Sequence, residues 1–139
     1  MESLSKAFGK CGEYTRNMYF PHGYAQEDAR LICNNKDPDF VHFVILINYE
    51  VVAFGFIKKS KESFGMAVVD EYQRKGIGSI FVDFMLYYAR LNGFKKLATE
   101  GGTFNESHLK DILFKRGFNN TGEFLTRGKP TLMMEAKLL

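Results

Sequence analysis

Gln73, Gly76 and Gly78 have the residue types and the spacing to hold an anion. They lie in the segment MAVVDEYQRKGIGSIFVDFMLYYA, Met66 to Ala89. The pattern Q-x-x-G-x-G opens directly into a segment with helical apolar periodicity. A helix start leaves its first N–H groups unpaired, which makes it a ready site for phosphate. Glycines let the backbone close around such a group where a Cβ would collide. The chemistry this spacing predicts is capture of a pyrophosphate-bearing ligand.

Other chemistry-bearing residues form no comparable group. Cys11 and Cys33 make no CxxC pair and join no His cluster, so the sequence predicts no metal site and free thiols. His22, His42 and His108 are isolated from one another. His42 sits inside an apolar run and reads as a core or groove residue. The 139 residues suit one domain over 1–139, built around one core. A net charge of +3, from 19 basic and 16 acidic side chains, is too mild to indicate nucleic acid. Met1 to Arg16 has no apolar core of a signal peptide, and Phe40 to Ile47 is too short to span a bilayer. These features predict a cytoplasmic protein with no membrane partner.

The loop needs elements to hold it. Residues 1–20 show no clear period. Tyr24 to Asn34 predicts a short helix, with apolar Ala25, Ala29, Ile32 and Cys33, ended by NNKDP. Phe40 to Ile47 and Val51 to Ile57 predict a hairpin across Asn48-Tyr49-Glu50. KKSK then turns the chain into a third strand, Ser63 to Val69. The helix from Ile77 to Leu91 places Ile77, Ile80, Phe81, Phe84, Tyr88 and Leu91 on one face and stops at Asn92-Gly93. Lys95 to Glu100 predicts a strand parallel to the third. A second helix, Asn105 to Arg116, presents Leu109, Ile112, Leu113 and Phe114, with Asn105 as its N-cap and Gly117 as its stop. Thr121 to Thr126 and Thr131 to Leu138 predict a closing hairpin around Arg127 to Pro130.

This order of elements, with the loop VVDEYQRKGIG (Val68 to Gly78), Asn105 and Gly117-Phe118, resembles the GNAT superfamily, the Gcn5-related N-acetyltransferases. The resemblance covers about residues 24–139 and implies an α/β (α+β) fold with a mixed, mostly antiparallel central sheet flanked by helices. One residue departs from the pattern. The family often has a Tyr four residues before the Gly of Gly-Phe, where its hydroxyl protonates the departing thiolate. Leu113 occupies that position and Phe114 follows it; neither donates a proton.

The resemblance implies transfer of an acetyl group from acetyl-CoA, the co-substrate, to an amine-bearing acceptor. The N–H groups of Gln73, Arg74, Lys75, Gly76, Ile77, Gly78 and Ser79 would bind the CoA pyrophosphate, with charge-assisted help from Arg74 and Lys75. Backbone around Met66 and Val68 would pair with pantetheine, and the N–H of Val68 would polarise the thioester carbonyl. Asn105 would reach the pantetheine arm. Glu100 is the candidate base and His108 the candidate replacement acid. The acceptor groove would be built by the N-terminal residues, the loops near Phe20 to Tyr24, and the closing hairpin.

Each signal has a plainer reading: a bare strand-to-helix turn at Gln73–Gly78, solvated charges at Arg74 and Lys75, capping by Asn105, a structurally paired Glu100. Alternatives to an amine acetyltransferase are a CoA-binding module of the same fold without turnover, or a transferase acting on a protein amine or nucleobase. A Rossmann dinucleotide unit fits poorly, because the glycine spacing is not G-x-G-x-x-G. Exposed strand edges leave homodimer formation open.

Overall fold

The computed structural model of the protein describes residues 2–19 and 21–138. Three short helices, α1 (Glu2–Gly9), α2 (Glu13–Met18) and α3 (Gln26–Cys33), precede the first strands. β1 (Phe40–Ile47) and β2 (Glu50–Lys58) form the expected hairpin, joined by Asn48 and Tyr49 at φ of 50° and 66°. Two positive φ values give the turn whose twist matches that of the flanking strands. β3 (Ser63–Val68) returns antiparallel, α4 (Ile77–Leu91) crosses over, and β4 (Lys96–Thr99) lies parallel to β3. A two-residue pair of bridges, β5 (Thr103–Phe104), precedes α5 (His108–Lys115). β6 (Asn119–Thr126) and β7 (Lys129–Lys137) close the fold around Arg127 and Gly128, again both at positive φ.

The seven strands form one sheet in the order β1-β2-β3-β4-β7-β5, with β6 on the other side of β7. All pairings are antiparallel except β3–β4. That parallel pair is short: only Ser63 with Ala98 and Phe64 with Thr99 face each other. Beyond Phe64 the two strands part, and the sheet opens in its middle.

Each face of the sheet has its own core. On one face, Phe81, Val82 and Met85 of α4 and Leu113 of α5 pack on Phe64, Leu97 and Met134. On the other, Leu4, Ala7 and Phe8 of α1 and Ala29 of α3 cover Phe54, Phe56 and Ala67. Burying a Phe this completely contributes roughly 1.5–3 kcal/mol, so Phe8 and Phe81, nearly without exposed surface, anchor the two layers.

The N-terminal helices correct the expectation of unpatterned chain there. Leu4, Ala7, Phe8 and Cys11 follow i, i+3, i+4, i+7, but over barely two turns, too short to stand out. The buried face of α4 is rotated from the expected one. Ile77, Phe81, Val82, Met85, Leu86 and Ala89 are buried, whereas Ile80 (62% exposed), Phe84 and Leu91 (70%) face outward. The helix is apolar nearly all round, so periodicity allows two overlapping stripes and the sheet takes one. α5 begins at His108, not Asn105. The Ser107 hydroxyl accepts from the Leu109 N–H and is the true N-cap. Phe114 is exposed, and so is Cys33 of α3.

Candidate functional site

The opening between β3 and β4 continues into a groove of about 1060 Å³. Its floor follows from strand alternation. Phe64 O accepts from the Glu100 N–H and Glu62 O from the Ala98 N–H, so even-numbered residues of β3 turn their backbone groups toward β4. Odd-numbered residues bond β2, as the Val69 N–H to Val52 O bond shows. Past Phe64 no strand lies opposite on that side. The N–H and C=O of Met66 and the N–H of Val68 therefore point into the groove without a ladder partner. Both are residues the sequence singled out, and both line the groove.

Val68 O does have a partner. The Gln73 side-chain amide donates to it at 2.9 Å and to Thr15 Oγ1 at 2.9 Å. Thr15 Oγ1 in turn donates to Asp70 Oδ1 at 2.7 Å, and Asp70 Oδ2 accepts the Gly12 N–H at 2.9 Å. Gln73 thus holds the end of β3, the loop and α2 together, and its backbone N–H is spent as well, on Asp70 O at 3.2 Å, so it drops out of the N–H groups expected to bind a phosphate.

The loop itself is bent into an anion cradle. Arg74 lies at φ 60° and Gly76 at φ 88°. Left-handed conformations among helical ones turn successive N–H groups toward one point. A non-glycine residue in that region costs about 1 kcal/mol or more, so Arg74 is held there against its preference. Gly76 is required for its φ; a Cβ on it would meet nothing. Gly78 lets α5 come close, since a Cβ there would lie 3.3 Å from Ile112 Cδ1 and that side chain would have to give slightly. No side chain caps the start of α4, in contrast to α5 with Ser107. The N–H groups of Ile77, Gly78 and Ser79 are left open to an incoming acceptor.

The structure brings most of the expected residues to this groove: Gln73, Arg74, Gly76, Gly78, Ser79, Glu100 and His108 line it besides Met66 and Val68. It sets three side chains apart. The Lys75 amine lies 5.6 Å over the Tyr72 ring, Ile77 buries its side chain in the core, and Asn105 is exposed, accepting from Lys110. The next residues along, Glu106, Ser107 and His108, form the wall there instead. His108 Nδ1 lies 3.5 Å from Arg74 Nη2 and 4.0 Å from Asp111, which places it at the cradle end. Leu113 is fully buried in the core and does not face the groove. Glu100 accepts the Ser63 hydroxyl at 2.5 Å and lies 3.7 Å from Lys61 Nζ.

Sequence reasoning missed the far wall, built by Tyr14, Thr15, Tyr19, Phe40, Phe56 and Lys58. These come from α2 and the residue that ends it, β1 and β2, and no local pattern links them. Phe20 lies outside the described residues; Pro21 lines the groove, while His22 and Tyr24 do not. His22 stacks on Phe8 at 5.1 Å, and burial holds its imidazole below the ordinary 6.5. Burial does the same to His42. Cys11 is buried too, with its thiol pushed up to about 11, and both cysteines are free. Among the described residues no three His, Cys, Asp or Glu side chains gather as metal ligands, and no helix is long and apolar enough to cross a membrane.

Comparison with known proteins agrees with this geometry. Residues 10–118 match the Acetyltransferase (GNAT) family. No curated protein sequence matches the chain. Among solved structures, the GNAT domain of S. lividans PAT is similar at a TM-score of 0.78 and 16% identity, over 99% of this chain and 84% of that one. A ribosomal-protein-alanine N-acetyltransferase from Brucella melitensis is similar at 0.77 and 16%, over 99% and 95%. An aminoglycoside 6'-N-acetyltransferase complexed with coenzyme A is similar at 0.70 and 14%, over 99% and 90%. At such identities the likeness is one of fold.

Proposed function

Since the chain belongs to the GNAT acetyltransferase family, we propose that it transfers the acetyl group of acetyl-CoA to a primary amine by direct attack on the thioester. The observation that carries this reading is that two sets of N–H groups open onto one groove, those of Met66 and Val68 on the parted strand and those at the uncapped start of α4. The pyrophosphate fits the cradle of Arg74 to Ser79, with the Arg74 guanidinium and the His108 ring beside it. Pantetheine would run along β3 as an added strand. The complex of the aminoglycoside acetyltransferase with coenzyme A shows that a similar fold accepts this ligand.

On this path the acyl end is the end farther from the phosphates. Of the two N–H groups in the groove, that of Met66 is two residues farther along β3 from the cradle than that of Val68, the donor expected from the sequence, and we assign the Met66 N–H to the thioester oxygen. A donor aimed at the developing oxyanion is worth roughly 10²–10³ in rate. Glu100 lies just past the end of β4, across the groove from β3, where it can hold the acceptor ammonium and take its proton directly or through water. The amine nitrogen then bonds the carbonyl carbon and the C–S bond breaks. The ammonium loses two protons in all: one ends on the CoA thiol and one is released. With Leu113 buried, α5 offers no hydroxyl to the thiolate, and solvent supplies the proton.

A thiol-release assay with acetyl-CoA and a panel of amines tests the reading. Turnover with at least one amine, abolished by Gly76→Glu, is expected. Tight CoA binding without release of thiol on any amine would favour the module that binds CoA and does not turn it over.

A further inference from the structure

The groove holds a cation outside the loop that forms the phosphate cradle. Lys58 is half-buried on β2 and lines the groove. Its amine lies 5.4 Å over the Phe40 ring and forms no ion pair among the described residues. Asp39 is near enough to feel its charge, but Asp39 spends its oxygens on Ser60, accepting from the N–H and the hydroxyl at 2.7 Å each. The neighbouring Lys61, by contrast, sits by Glu100.

Register places Lys58 on the same face as the candidate base. Lys58 pairs with Ser63 across β2–β3, and the Ser63 hydroxyl donates to Glu100. A cation on β2 and a carboxylate just past the end of β4 therefore flank β3, with Ser63 between them. Phe40 pairs with Lys58, and Phe56 pairs with Gly65, so both rings share that face. Gly65 is bare by necessity: a Cβ there would meet Phe56 Cε1 at 2.7 Å and Tyr19 Cε1 at 3.1 Å. The result is an apolar basin beside Met66, with a cationic rim on one side and an anionic one on the other.

We propose that Lys58 binds an anionic group of the acceptor. The acceptor is then a small amine that carries a carboxylate or an equivalent anion on the same skeleton, in simplest form an amino acid with an apolar side chain. Its ammonium meets Glu100, its anion meets Lys58, and its side chain lies against Phe40 and Phe56. This rests on the acetyltransferase reading above. A half-buried cation that has an aromatic face but no ion pair is open to a ligand's counter-charge, and a charge-assisted bond there selects for that ligand.

The test compares matched acceptors in the thiol-release assay: leucine, its amide, 3-methylbutylamine, and the aminophosphonate of the same skeleton, with the phenylalanine series alongside. CoA binding is measured separately by calorimetry. The wild type should favour the carboxylate and phosphonate over the two neutral-ended amines by about tenfold or more in kcat/KM. Lys58→Met should raise KM for the anionic acceptors and bring the ratio toward one, with kcat little changed, while Lys58→Arg keeps the preference. Equal use of all acceptors, a preference that survives Lys58→Met, or CoA binding without acetylation of any anionic amine would each overturn the assignment. Absence of CoA binding would instead overturn the acetyltransferase reading itself, and this inference with it.

Discussion

The two ends of the groove are built in different ways. At the cradle end the groove offers backbone: the open N–H groups of α4, the positive φ of Arg74 and Gly76, and the unpaired edge of β3. At the proposed acceptor end it offers side chains gathered from β1, β2 and the segments just after α2 and β4: Phe40, Phe56, Lys58, Tyr19 and Glu100. Backbone recognition demands a fixed local conformation and so writes a motif into consecutive residues. Side-chain recognition demands only that distant residues meet. A ligand common to many enzymes suits the first, and a ligand particular to one suits the second.

The sharpest break of this contrast is Gly76→Glu. It forces an L-residue into φ 88° and puts a negative charge at a phosphate cradle. CoA affinity by calorimetry should fall about 10²-fold or more, since several charge-assisted bonds are lost together. A Cβ at this position meets no atom, so the fold should survive in the circular dichroism spectrum. Unchanged affinity would remove the cradle from the site.

Glu100→Gln probes the other end alone. Turnover should drop by about 10²-fold, the lower range for loss of a general base, while CoA affinity stays the same. If turnover persists at neutral pH, the carboxylate is only the partner of Ser63 and Lys61.

Gln73→Ala tests the join between the ends. It leaves Val68 O without its side-chain donor and should cost about 1–3 kcal/mol in denaturant unfolding. Combined with Thr15→Val the losses should be non-additive, because the two side chains share one bond. Additive losses would separate α2 from the loop.

The smallest expected effect is a pH dependence confined to the layer behind the acceptor end. Burial lowers the folded-state pKa of His22 and His42 below 6.5. The unfolded chain then binds protons first as pH falls, so this stability is whole above about 6.5 and is lost as pH drops toward the folded values. Thermal unfolding should shift down between about pH 7 and pH 5, and His42→Phe should flatten the shift. A Tm that rises toward pH 5 would contradict the sign.

The same contrast decides what could be seen in the sequence. The cradle, the crossover helix with its limits at Ile77 and Leu91, the parallel β3–β4 pair and both hairpins follow from local rules of periodicity, glycine placement and strand length. What escaped is tertiary. The face of α4 is chosen by the sheet, because its apolar residues run round the helix. The cap of α5 moved from Asn105 to Ser107 because Asn105 is held by its N–H bond to Pro130 O of the closing hairpin. Gln73 looks in sequence like a ligand contact, yet its side chain fastens β3 to α2. Lys58 reads as one more charge in KKSK until the register sets it over Ser63. Leu113, a missing Tyr in sequence, proves to be a core residue.

The measurement that bears most directly on the central claim is calorimetric titration of the protein with acetyl-CoA and desulfo-CoA, with NADH and ATP as controls. The account predicts saturable binding of both CoA forms in the micromolar range, about 8 kcal/mol of affinity, and much weaker binding of the controls. No CoA-selective binding would mean that the loop from Gln73 to Ser79 is only a turn between strand and helix, and that the groove serves another ligand.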